Sequence, residues 1–300
     1  MNSRPPQRPL TGIFWMFITG LCFLMVTAPV KTMGPRIPSG EAAFLRYAMG
    51  LLFLLPSLKA IQDANLTRRQ WALFSLRGLC HSVGVMMWFY AMVRIPIADV
   101  TALNYLAPIY VTVGAALFLG ERLALRRIVA VVLGLVGAAI ILRPGFREVS
   151  TGHLGMVFAA VVFAGSYLVA KILTDEVKPF VIVAMLSVFV TIGLFPFAVA
   201  NWITPTPREL GFLFAVAAFA TAGHYTMTLA FAAAPVTVTQ PVTFLQLIWA
   251  TALGAVWFSE PIDIWVVLGG FVILGSVTFI TWREAMLKRT VTPVSHATKT

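Results

Sequence analysis

Charge is scarce in this sequence: acids and bases together make up 11% of its 300 residues, where soluble domains carry about a quarter. With 59% of residues hydrophobic and a mean hydropathy of +0.90, a water-soluble globule is excluded and the lipid bilayer becomes the solvent. Cysteine is nearly absent. Cys22 and Cys80 both fall inside apolar stretches, which suits a small apolar role better than a disulfide. There is no Walker-type phosphate loop, which argues against intrinsic ATP use. No carboxylate falls in the middle of an apolar stretch, so a carboxylate proton relay is disfavoured and exchange, facilitated diffusion or histidine-coupled transport remain. Clustered acids or His/Asp pairs are missing too, which counts against an integral-membrane enzyme on lipid-linked substrates. A non-transporting sensor or assembly subunit is equally disfavoured. No cofactor or metal is expected.

What is present is a succession of apolar segments long enough to cross a hydrocarbon core about 30 Å thick. Ten are read: 10–30, 39–58, 71–92, 98–119, 128–142, 152–172, 179–200, 210–232, 238–258 and 262–282. Lipid cannot satisfy backbone amides, so each is predicted to be a helix. The first follows Arg4 and Arg8 as a signal peptide would, but no small-x-small cleavage site precedes Lys31, and it is expected to stay.

The second half repeats the first. Moving Ala91 onto Ala230, an offset of 139, also places Pro96 on Pro235, Leu106 on Leu245, Thr112 on Thr251 and Glu121 on Glu260, while Lys31 falls near Lys171. The expected architecture is an all-α integral membrane protein of ten transmembrane helices in two five-helix repeats, residues 10–145 and 146–289, with tails 1–9 and 290–300. An odd number of helices per half makes the second inverted relative to the first, the arrangement on which alternating access is commonly built. The net charge of +11 does not indicate nucleic acid. Basic residues crowd the loops on the side of both termini, including Arg68, Arg69, Arg122, Arg126, Arg127, Lys171 and Arg283, so that side is expected to be cytoplasmic.

Polar residues within the spans are the candidate functional positions, because each must face protein or water. In the fourth span Thr101, Asn104 and Tyr105 share a helical face with Pro108; in the ninth, Gln240, Thr243 and Gln246 do the same. The offset maps Thr101 to Gln240 and Asn104 to Thr243, so the two faces are expected to converge on a central cavity or to act as packing glue. Pro108 and Pro241 each weaken a helical ladder and are candidate hinges. The third span adds Arg77 and His81, the eighth His224 and Tyr225, and the second Arg46, five residues from a possible partner in Glu41. Either histidine can exchange a proton near neutral pH or simply bond a neighbour. Arg77 either snorkels toward the cytoplasm or binds a substrate anion. Glu121 and Glu260, at opposite surfaces, are expected to cap helices or pair loops.

Phe44-Leu45-Arg46, Leu76-Arg77-Gly78, Ile95-Pro96-Ile97-Ala98, Leu119-Gly120-Glu121 and Arg143-Pro144-Gly145, taken with the duplication, resemble the EamA-type carriers of the drug/metabolite transporter superfamily. The likeness covers essentially the whole chain and is strongest over residues 40–145; the second half keeps Pro235 and Ser259-Glu260 but lacks a counterpart of Arg46. It implies a secondary carrier in a bacterial inner membrane, with a small-molecule substrate and the lipid bilayer as partners. Within the superfamily the first half looks most like carriers of riboflavin or S-adenosylmethionine, with amino-acid and drug or metabolite exporters as relatives.

Overall fold

The computed structural model describes residues 8–55, 63–118, 125–174, 176–234 and 239–290. Helices of the first repeat are α1 (Pro9–Met33), α2 (Ser39–Leu52), α3 (Arg68–Met92), α4 (Ile97–Asn104), α5 (Leu106–Phe118) and α6 (Leu125–Leu142). Those of the second are α7 (Thr151–Thr174), α8 (Pro179–Ala200), α9 (Pro207–Ala233), a 3₁₀ turn (Gln240–Thr243), α10 (Phe244–Phe258) and α11 (Ile264–Thr290). Seven spans are long and apolar enough to cross a membrane, with α4 and α5 counted as one, and the apolar stretches Arg127–Leu142 and Leu245–Phe258 are shorter. With α2 these make ten spans. Pro235, the repeat partner of Pro96, and Glu121 lie outside the described residues.

The packing is two-fold symmetric. α1 lies along α9 as α7 lies along α3; α3 touches α8 as α9 touches α2; and α2·α8 and α6·α11 are the self-paired contacts. This is the pattern two inverted repeats produce when the third helix of each crosses to the first helix of the other. Even the helix starts repeat: Thr67 accepts from the amide of Gln70 and Thr206 from that of Glu209, each with the reciprocal side-chain bond of a capping box. Two of the four orphan amides at each start are thereby satisfied where the helix leaves water.

Proline explains the one place where both halves lose helical regularity. Pro108 lacks the amide that would bond to the carbonyl of Asn104, and α4 ends at that residue. In the second half the 3₁₀ turn ends at Thr243, the residue equivalent to Asn104. The prolines themselves are not equivalent, since Pro241 sits inside the turn, yet the breaks coincide. Interrupted helices at mid-depth are tolerated where they face protein or a cavity, and they are common at carrier binding sites.

Close approach depends on glycine at the crossing of α6 and α11. A Cβ on Gly269 would sit 2.5 Å from the carbonyl oxygen of Gly137, and one on Gly137 would sit 2.7 Å from that of Gly269. Because each obstacle is backbone, the helices themselves must separate. Gly269→Ala is expected to lower stability by about 1–3 kcal/mol, read as a drop in melting temperature of the purified protein. Gly275→Ala, on the same helix with open space around it, is the control. Equal melting of the two variants would remove the packing argument.

Candidate functional site

Four of the intramembrane polar residues meet at one place. Arg46 on α2, Arg77 and His81 on α3 and His224 on α9 lie within coulombic range of one another, brought together because α3 and α9 flank α2. His81 uses both ring nitrogens: Nε2 lies 3.1 Å from the hydroxyl of Tyr47 and Nδ1 3.3 Å from that of Ser166 on α7. One hydroxyl donates to the ring and the other accepts. Arg77 does not snorkel. It is 6% exposed, donates through Nη1 to the carbonyl of Ile182 on α8 at 2.8 Å, and leaves its Nε without a partner. Arg46 does not pair with Glu41, which instead accepts from the amide of Ile203 at 2.9 Å. The Arg46 guanidinium lies over the Tyr47 ring at 3.9 Å.

Aromatic rings extend this cluster. The His81 ring packs tilted on Phe163 at 5.0 Å, and Phe163 stacks on Tyr167 at 6.2 Å with 17° between planes. Tyr167 stays 42% exposed although it interacts electrostatically with Tyr47 and Arg77. The reason is a cavity of ≈ 300 Å³ toward the face holding both termini, lined by Tyr167, Pro108, Thr112, Arg127, Lys171 and Thr281. Tyr167 thus stands between the cluster and that space. On the far face, a cavity of ≈ 240 Å³ runs between α1, α2 and α3 past Ser39, Phe89 and Arg94.

The paired polar faces of the two interrupted helices behave otherwise than expected. They do converge, but they close on each other: the Tyr105 hydroxyl donates to the carbonyl of Thr243 at 3.0 Å, tying one break to the other. Thr101 is buried and turns back onto the carbonyl of Ile97 at 2.8 Å. Asn104 and Gln246 are half-buried, and neither lines the two cavities described. The side chains of Gln240 and Pro241 lie outside the described residues. Tyr225 is a plain correction: it is 66% exposed, on the outward side of α9 that also carries Phe214. His224, one position earlier, turns inward and meets Phe23 edge-on at 5.3 Å. Tyr47, Ser166, Phe163 and Tyr167 were passed over as site residues. Ser166 and Tyr167 stand together inside an otherwise apolar stretch of α7, the same sign that picked out Arg77 and His81.

The far face is closed by ion pairs. Lys31 at the end of α1 lies 2.7 Å from the Glu260 carboxylate beyond α10 and donates to the carbonyl of Ile95 at 2.7 Å. The other Glu260 oxygen accepts from the amide of Ile97 at 2.8 Å, capping α4. Beside it, buried Asp99 takes Arg147 and, at 2.8 Å, Nε2 of His153. Since His153 Nδ1 accepts the Ser150 amide at 3.1 Å, Nε2 carries the proton donated to Asp99. Arg143 and Arg147 also hold Asp263, and Arg36 holds Glu209. The bond to Glu209 pushes the Arg36 guanidinium above its ordinary range. On the termini face, bonds from Arg69 and then Gln70 hold the Glu176 carboxyl below the usual carboxylate range. Acids are therefore buried after all, but at helix starts rather than mid-membrane.

A polar cluster between two inverted halves, a cavity on one face that meets its ring surface only at Tyr167, and ion pairs across the other face fit a carrier. The family model that describes EamA-like transporters matches twice, over residues 10–143 and 150–282. The chain belongs to the EamA-like transporter family. A riboflavin transporter from Rhizobium johnstonii is 32% identical over 289 residues, which is 95% of either chain. An S-adenosylmethionine uptake transporter from Rickettsia prowazekii is 25% identical over 92% of this chain and 94% of its own. A crystal structure superposes with a TM-score of 0.60 over 93% of this chain and 99% of that one at 15% identity, a likeness of fold. As an EamA-like protein it is a multi-pass membrane transporter of a small molecule, in a family of transporters rather than enzymes.

Proposed function

We propose that this carrier moves a planar, amphipathic metabolite across a bacterial inner membrane by alternating access, with riboflavin as the best candidate and both termini in the cytoplasm. The observation that supports this reading is the run of rings Tyr47, His81, Phe163 and Tyr167 beside two guanidiniums, ending at a cavity. Such a surface gives a flat solute stacking area, while planar donor forks suit its carbonyl edge. Riboflavin joins a flat ring system, which fits the stacking surface, to carbonyl and hydroxyl groups that offer the guanidiniums neutral acceptors. Thr101, Asn104, Tyr105, Thr243, Gln246 and the hinges at Pro108 and Pro241 are proposed to shape the path by holding the interrupted helices rather than by binding solute.

Uptake of labelled riboflavin into proteoliposomes tests the reading. Wild-type vesicles should accumulate it above empty vesicles. Arg46→Lys should reduce uptake about tenfold at equal protein content, the loss expected when one charge-assisted hydrogen bond goes. A lysine carrier as active as wild type would reject recognition by Arg46.

A further inference from the structure

Arg46 and Arg77 are buried cations with no counter-ion among the described residues. Arg46 is 9% exposed and, among the described residues, makes no hydrogen bond or ion pair; its one described contact is the Tyr47 ring. Arg77 has a single carbonyl acceptor and an unpartnered Nε. The ionisable groups that bear on them are His81, His224, Tyr47 and Tyr167, none of which is an acid. The buried acids face elsewhere: Asp99 holds Arg147 and His153, Glu209 holds Arg36, and Glu41 accepts the Ile203 amide through one oxygen while its other oxygen has no hydrogen-bond partner. A guanidinium does not shed its proton inside a protein, so both charges persist. Two unneutralised charges at membrane depth are costly for any fold to retain, and pairing is how such residues normally occur. No described residue fills that role for either guanidinium, which leaves the solute as the natural source of the partner.

We infer that the transported solute bears an oxyanion, a carboxylate or a phosphate, which Arg46 and Arg77 neutralise beside the ring surface. This rests on the proposed planar-solute site and narrows it: a neutral flavin fits the rings but leaves the guanidiniums uncompensated, and the S-adenosylmethionine sulfonium adds a third positive charge. The same logic bears on turnover. The loaded carrier is closer to neutral than the empty one, so it changes conformation more readily, and exchange outruns net uptake.

The test compares ligands matched in shape and different in charge on the purified full chain. Binding is measured for riboflavin, riboflavin 5′-phosphate, 4-aminobenzoate and S-adenosylmethionine, followed by uptake into proteoliposomes for those that bind. Riboflavin 5′-phosphate should bind at least about tenfold more tightly than riboflavin, S-adenosylmethionine should not bind, and preloading vesicles with the anion should accelerate uptake. Arg46→Gln should erase the difference between the two flavins, with Arg46→Lys keeping part of it. Equal binding of both flavins by the wild-type protein would overturn the inference and leave the planar-solute reading standing. Binding of 4-aminobenzoate with neither flavin bound would do the reverse, rejecting flavins and keeping the oxyanion. Because the wild-type comparison decides the matter, a variant that fails to fold does not protect the proposal.

Discussion

Glu260→Gln is expected to open the far face of the carrier. The Glu260 carboxylate holds the end of α1 through Lys31 and the start of α4 through the Ile97 amide, while its backbone amide donates to the carbonyl of Gly254 in α10. It therefore joins the second repeat to two elements of the first, α1 and α4. A glutamine still accepts from Ile97 but no longer neutralises Lys31, so the loss is smaller than the 3–5 kcal/mol typical of breaking a buried pair. About 1.5 kcal/mol is a fair expectation, or roughly a tenfold shift in population. Thr101 lies one turn behind the Ile97 contact and is buried, which makes Thr101→Cys a reporter in a Cys22→Ser, Cys80→Ser background. Its reaction with a water-soluble thiol reagent should quicken about tenfold when Glu260→Gln is added. An unchanged rate would show that this ion pair does not hold the face closed.

The largest loss of stability is expected from Asp99→Ala. The side chain is 1% exposed and is the acceptor for Arg147 and His153, which belong to the connection between the repeats and to the start of α7. Removing it strands the buried imidazole N–H of His153 and leaves the half-buried Arg147 with Asp263 alone, so about 3 kcal/mol, the lower end of what unpairing a buried charge costs, is expected. Asp99→Asn keeps an acceptor for His153 and should fall between alanine and wild type. Melting of the purified variants, followed by intrinsic fluorescence, gives the order. Asp99→Ala melting within about 1 °C of wild type would mean that the network carries no weight, since about 1 kcal/mol already shifts melting by more than that.

Much of this structure was legible in the sequence because the bilayer leaves few options. Spans follow from length and hydropathy, and the inverted arrangement follows from an odd number of helices per repeat. Arg46, Arg77, His81 and His224 stood out since a polar group at membrane depth needs a partner, and the fold brings these four together. Which partner each finds depends on helix rotation and on the other repeat. Tyr105 and Thr243 share polar faces in the sequence, yet a hydroxyl beside a broken helix takes the freed carbonyl, so the faces seal instead of lining a void. Tyr225 and His224 are neighbours in the chain and point to opposite sides of α9, a distinction that a slowly varying apolar background does not reveal. The far-face network was legible only at Glu260, for which capping or loop pairing is expected; Asp99, Glu209 and Asp263 sit at helix starts, and their cations arrive from segments distant in the chain.

The repeated capping boxes carry a consequence for direction. Thr67 with Gln70 and Thr206 with Glu209 start equivalent helices on opposite faces, and each third residue also binds across the molecule, Gln70 to Glu176 and Glu209 to Arg36. The same small device thus anchors both faces, with donor and acceptor exchanged between them. The far face carries further pairs, Lys31–Glu260 and Asp99–Arg147, so any preference for one orientation rests on those additions and not on the shared anchors.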